Sequence, residues 1–227
     1  MSGTVTVGLD DSPESRAAAE WAVRAALLRA PPSKIVHVQE PTIVHVQEPT
    51  PRYAARTPLL DLGRYQHRAE QLTHEAAIRL RHPGIEVITG QLTGTVADVL
   101  CEAAGCVGLL VLGSRALGGP RGFMVGPVGL GIVGRAECPV VLLRAEEQAA
   151  DEHRTDPAGV PSAAAPFRPV VLGLDIDQPD DTLLEFAFDT VARCKAALRA
   201  VHAGHIGHVP HAALHHITAP VAVVAHS

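Results

Sequence analysis

Short strand-like runs of apolar residues alternate along the chain with longer stretches of helical period. Thr4-Val-Thr-Val-Gly-Leu9 alternates and then turns wholly apolar, the pattern of a central strand. Asp10-Asp-Ser-Pro13 ends it, with Ser12 suited to a helix N-cap and Pro13 to the first helical position. Ala18, Trp21, Ala22, Ala25 and Leu28 recur at three- and four-residue steps, which predicts a helix to about Ala30, stopped by Pro31-Pro32. Ile35-Val-His-Val38 predicts a second strand. A helical period from Leu59 to Arg81 ends at Pro83-Gly84, and Ile85–Thr89 predicts a third strand. Thr95 is placed to cap a helix from Val96 to Ala104. Val107–Leu112 is a fourth, buried strand, Pro127–Ala136 a helix and Pro139–Leu143 a fifth strand.

Strands alternating with helices imply right-handed βαβ units and a parallel sheet covered on both faces. One feature breaks the order. Residues 35–42 read IVHVQEPT, and residues 43–50 read IVHVQEPT again. Only one copy can occupy the interior strand, and the pattern does not choose between them.

Residues 145–166 are rich in Ala, Pro, Glu and Asp without an apolar period, and are expected to form a linker. After them the opening theme returns. Val170-Val-Leu-Gly-Leu-Asp175 mirrors Val5-Thr-Val-Gly-Leu-Asp10, with Asp177 in the capping place of Ser12. A helix from about Asp180 to Ala197 leads to Leu198–His202, and Pro220–Val224 echoes the fifth strand. The second half is a shortened copy of the first, lacking its middle helices and strands. This divides the chain into a complete domain (1–147), a linker (148–168) and a truncated second domain (169–227). The last strand of the copy, Val221–Val224, is expected near the last strand of the first domain. With its fourth strand gone, the copy's first and last strands lose their usual neighbour, and the expectation is either that they pair directly or that the half-domain is only marginally stable.

Hydrophobic residues make up 47% of the chain but aromatics only 3%, so the core must be built from Ala, Val and Leu. A net charge of −5 argues against a general nucleic-acid binder, which would show a basic face. No apolar run reaches membrane-spanning length. The chain opens directly on a strand without a leader pattern. Its four cysteines form no Cys-x-x-Cys pair and are expected as reduced, packed thiols in the cytoplasm.

Candidate chemistry centres on Gly113-Ser-Arg-Ala-Leu-Gly-Gly-Pro-Arg-Gly-Phe-Met-Val-Gly126, between a strand and a helix. Such a loop allows close backbone approach, and the helix start offers N–H groups and a positive dipole end to an anion. Catalysis finds little support. The loop holds no lysine, and no Gly-x-Ser-x-Gly or His-Glu-x-x-His occurs. Asp10 is a structural or ligand-binding carboxylate on this reading. A separate candidate is the tail, where His205, His208, His211 and His215 are spaced for one helical face and suit Zn²⁺, Ni²⁺ or Cu²⁺, although Pro210 interrupts the helix.

Val7-Gly-Leu-Asp-Asp-Ser-Pro13, Ile35–Val38, Gly113 through Gly126 and Cys138-Pro-Val-Val141 stand in one order. In this the chain resembles the universal stress protein family, specifically tandem two-domain members of the actinobacterial type. The resemblance covers residues 4–144 as a whole domain and 169–226 as the two ends of another. It implies an α/β fold with a five-stranded parallel sheet in the order 3-2-1-4-5, helices on both faces, and dimerisation or pseudo-dimerisation through the last strand. It also implies, for one subclass, ATP binding. Gly8 and Asp10 would come from the first strand, with Asp10 on the ribose or adenine side and the backbone of Val38 at adenine. Gly113, Ser114 and Arg115 would begin a phosphate loop that passes Ala116 and Gly119. Gly126, Pro127 and Val128 would close it at the helix start.

Two residues depart from the family pattern. Ala116 stands where the family has glycine, at a cost of about 1 kcal/mol if φ > 0 or close approach is needed. Pro127 stands for a Ser or Thr and removes one N–H and one hydroxyl from the phosphate cradle. Two lost hydrogen bonds weaken binding by about 2–4 kcal/mol, roughly 30- to 1000-fold.

Overall fold

A computed structural model describes residues 5–10, 12–29, 41–47, 88–93, 95–105, 108–114, 127–174, 180–202 and 220–224, with backbone alone for 41–47, 88–93, 127–128 and 202. The expected helix at 59–81 and the histidine cluster 205–215 lie outside the described residues.

β1 (Val5–Leu9) leads into α1 (Pro13–Arg29), then β2 (Pro41–Gln47), β3 (Ile88–Thr93), α2 (Val96–Ala104) and β4 (Leu109–Gly113). α3 (Pro127–Val133) and β5 (Val140–Leu143) follow. The second half contributes β6 (Val170–Leu174), α4 (Asp181–Cys194), β7 (Leu198–His202) and β8 (Val221–Val223). This is an α/β fold with a mixed sheet. Six strands lie in the order β3-β2-β1-β4-β5-β8, and β6 and β7 form a separate parallel pair. The expectation of a five-stranded, wholly parallel sheet is corrected at one edge, where β8 joins antiparallel to β5, pairing Val140 with Val223 and Leu142 with Val221. Instead of pairing with β6, β8 leaves the second half and completes the first half's sheet.

The central strands are buried on both faces, as their apolar runs require. Val5, Val7, Leu109, Val111, Val141 and Leu143 face one cluster with Ala18, Ala22, Ala25 and Ala26 of α1. Leu110, Leu112, Val140 and Leu142 face the other, with Leu100 of α2 and Ile132 of α3. This is the strict alternation of a pleated strand. The alanine-rich face of α1 lets the helix sit close to the sheet, so the core closes with few aromatics. Phe186 of α4 also enters the first cluster, only 7% exposed.

Three boundaries differ from the sequence expectation. The strand beside β1 takes its apolar run from the second copy of the octapeptide: Val7–Leu9 pair with Ile43–His45, while Val5 and Thr6 pair with Pro41 and Thr42, the last two residues of the first copy. Proline at the first position of a strand forfeits little of the ladder. β3 runs to Thr93 rather than Thr89, with residues 85–87 of the expected strand outside the described residues; it is an edge strand whose described extent follows its pairing with β2. The N-cap of α4 is Asp180, whose carboxylate accepts the Leu183 N–H at 2.9 Å, three residues beyond Asp177.

The segment expected as a linker is held to the first half. A short 3₁₀ turn, Ala149–Glu152, is capped by Gln148 and Asp151 in a reciprocal capping box. Glu152 accepts the Trp21 indole N–H and an Arg24 N–H, both at 2.9 Å. Beyond it, Arg154 N–H donates to the Pro166 carbonyl and Arg168 N–H to the Glu152 carbonyl, closing the segment into a strap.

Candidate functional site

The chain leaves β1 toward β2 and β3 on one side, then crosses to β4 on the other. The carboxyl ends of β1 and β4 therefore flank a topological switch point, where an open parallel sheet places its ligand. Asp10 follows β1 there, and Gly113 and Ser114 end β4.

Local hydrogen bonds fix the first wall. The Asp10 carboxylate accepts the Ser12 N–H at 3.1 Å and also the Ser12 hydroxyl. The Ser12 hydroxyl oxygen accepts the Ser15 N–H at 3.1 Å, the expected N-cap bond. Ser15, 3% exposed, donates its hydroxyl to the Ser12 carbonyl at 3.0 Å and accepts the Asp10 N–H at 3.4 Å. These bonds lock the turn between β1 and α1 and hold the exposed Asp10 carboxylate at the head of the crevice. A carboxylate there suits hydroxyl and amine donors, such as ribose and adenine groups, and repels phosphate.

The second wall depends on a glycine for a reason that sequence reading assigned to ligand approach. A Cβ on Gly113 would lie 2.6 Å from the Glu14 carbonyl carbon and the Ser15 nitrogen. Both are backbone atoms of α1, so the strand end and the helix start meet only because Gly113 has no side chain. Gly113→Ala is expected to cost about 1–3 kcal/mol through forced backbone movement, lowering Tm by roughly 2–12 °C. An unchanged melting curve would show that α1 does not bear on Gly113. Gly8 is a milder case: a Cβ there would meet the Leu112 side chain at 3.0 Å, on the α2 face.

Ser114 is 5% exposed, and its N–H donates to the Leu143 carbonyl at 2.6 Å. The parallel register pairs Gly113 with Leu143. Arg144 follows directly beside Ser114, adding a cation to this end of the sheet that sequence reading did not include. Its signal was its place as the first polar residue after the last apolar run of the domain. Glu147, 3.7 Å from the Arg144 Nε, was also missed.

The structure thus brings Gly8, Asp10, Gly113 and Ser114 to one end of the sheet. Arg115, Ala116, Gly119 and Gly126 lie outside the described residues, as does Val38. With the second octapeptide copy in the sheet, the position corresponding to Val38 is Val46. Leu9 pairs with His45, so Val46 stands one step beyond, level with Asp10. Pro127 is the first residue of α3 and Val128 the second, known here by their backbone. Pro127 brings no N–H to that helix start. Among the described residues no cluster of three metal-ligating side chains occurs, and no helix is long and apolar enough to cross a membrane. Cys101, Cys138 and Cys194 are free thiols, and burial pushes Cys138 up to about 11, which leaves it protonated and inert at neutral pH.

Comparison with known proteins agrees with this architecture. The universal stress protein family model matches residues 1–144. A universal stress protein of Mycobacterium tuberculosis is 30% identical over 213 residues, covering 88% of this chain and 62% of the relative. The chain thus spans less than two thirds of the length of that relative. A universal stress protein from Archaeoglobus fulgidus superposes with a TM-score of 0.67 at 17% identity, covering 92% of this chain and 70% of that one. More distant solved structures include a universal stress protein in complex with cAMP and an Arabidopsis thaliana family member with AMP bound. Their TM-scores of 0.43 and 0.44 make these ligands facts about those proteins alone. With more than half of its residues matched by the family model, the chain belongs to the universal stress protein family.

Proposed function

We propose that the crevice between the ends of β1 and β4 binds an adenine nucleotide, and that the protein is a non-catalytic, cytoplasmic stress-response binding protein. The observation that supports this most is the juxtaposition of a pinned Asp10 with the Gly113–Ser114 strand end at the switch point. On this reading Asp10 meets the ribose or adenine side, the Val46 backbone stands where the adenine edge lies, and the loop opening at Ser114 holds phosphate. ATP is the assigned ligand, bound weakly because Ala116 and Pro127 depart from the family's loop. Turnover forms no part of the proposal.

Calorimetric titration of ATP into the full chain tests it. Saturable binding weaker than about 1 μM is expected, and Asp10→Asn should weaken it roughly five- to tenfold, about 1–1.4 kcal/mol. Asparagine keeps the acceptor that caps Ser12, so the fold is preserved. Equal binding by Asp10→Asn would remove Asp10 from the site, and no heat from the natural chain at millimolar ATP would contradict the proposal.

A second reading is favoured by β8. Residues 169–227 are then a truncated second domain, joined through 148–168, whose last strand occupies the β5 edge as a partner subunit would. The protein in this reading is a nucleotide-free scaffold and a pseudo-dimer within one chain. A second copy could use the β5 edge only by displacing β8.

A further inference from the structure

The strap from Arg144 to Arg168 contains a carboxyl group that neither reading uses. The Glu147 side chain is wholly buried, between the end of β5 and the 3₁₀ turn. Among the described residues neither carboxyl oxygen has a hydrogen-bond partner. The Arg144 Nε at 3.7 Å is an electrostatic neighbour, beyond hydrogen-bond range. A buried, unbonded carboxylate is costly, and the neutral acid is much cheaper. The strap itself is secured elsewhere, by Glu152 on Trp21 and Arg24 of α1, by the Gln148–Asp151 box, and by the bridge between His153 and Phe167. Glu147 sits at the root of these contacts, where the chain leaves the sheet.

We propose that Glu147 is a proton-operated latch: neutral, it lets the strap seat on α1 and the end of β5, and ionised, it loosens that seat. The surrounding charges support this. Burial pushes the Glu147 carboxyl up from 4.5 to about 7, Arg144 draws it back, and Asp151 and Glu152 of the strap raise it further. From α1, the Arg24 guanidinium faces this cluster but is committed to Glu152. The sign follows from the raised value. The seating is strongest below pH 4.5 and is progressively lost as pH rises through about 7. The latch would work across the range a cell experiences. It lies beside the crevice, because the strap starts one residue after Leu143, whose carbonyl receives the Ser114 N–H.

Hydrogen exchange of the full chain, corrected for intrinsic rates, tests the latch at the backbone amides of Asp151, His153, Arg154 and Arg168. Their opening equilibrium should rise about tenfold relative to β4 amides between pH 6 and pH 8, as linkage from 4.5 to about 7 requires. Glu147→Gln should reduce that change to less than twofold. Because His153 is a second titratable group in the strap, the variant decides the matter and pH alone does not. A direct reading comes from the Glu147 side-chain carboxyl carbon, whose NMR shift should titrate near neutrality. A midpoint close to 4.5, or the same tenfold change in Glu147→Gln, would overturn the proposal.

Discussion

Phe186→Ala is expected to destabilise the full chain by about 3–5 kcal/mol, the usual cost of emptying a buried phenylalanine site. The residue belongs to the second half, yet it is 7% exposed within the cluster formed by α1, β1, β4 and β5. Ala18, Ala19, Ala22, Ala25 and Ala26 of α1 belong to the same cluster, and alanines cannot extend to fill the space the phenylalanine would leave. Tm should fall by roughly 6–20 °C for a chain of this size. Phe188, two residues on and 59% exposed, supplies the control. Phe188→Ala should change stability by less than about 0.5 kcal/mol. Urea denaturation of both variants measures the difference. Equal, small effects would mean that α4 is not seated on the first half.

The second large effect concerns affinity. Replacing Ala116 with glycine and Pro127 with serine in one chain should tighten ATP binding by roughly 30- to 1000-fold, about 2–4 kcal/mol. Serine returns an N–H to the start of α3 and adds a hydroxyl. Glycine returns the backbone freedom that close phosphate approach uses. The serine change alone should carry the larger share, since it restores two donors and glycine none. Isothermal titration of the natural chain, both single variants and the double variant resolves these contributions. A double variant that binds no more tightly would show that the loop does not cradle phosphate, and the scaffold reading would take precedence.

The local signals in the sequence were sound where one turn explains itself. Ser12 and Pro13 announce the start of α1, and the Ser12 hydroxyl makes the expected cap. The apolar runs of β4 and β5 needed no partner to be recognised, because strands buried on both faces carry no polar positions. What local pattern could not supply was pairing. The two IVHVQEPT copies present identical side chains, so only the ladder with β1 distinguishes them. β8 was legible as a strand, and its place near β5 followed from the family resemblance, which implies pairing through the last strand, but its antiparallel register was not legible. The strap looked like a linker because its anchor is remote: Glu152 and Trp21 are 131 residues apart. Glu147 resembled any surface glutamate until its burial was known. In the candidate site, Asp10, Gly113 and Ser114 were nameable from their motif. That Gly113 makes room for the backbone of Glu14 and Ser15 was not, since a glycine's absent Cβ says nothing of what replaces it.

The central claim, an adenine-nucleotide site at the switch point, is tested most directly by following backbone amide NMR signals of the full chain during titration with ATP. The account predicts saturable shifts at Asp10, Ser12, Gly113, Ser114 and Val46, with amides of β6 and β7 unmoved. Shifts confined to other residues, or a spectrum unchanged at millimolar ATP, would contradict it.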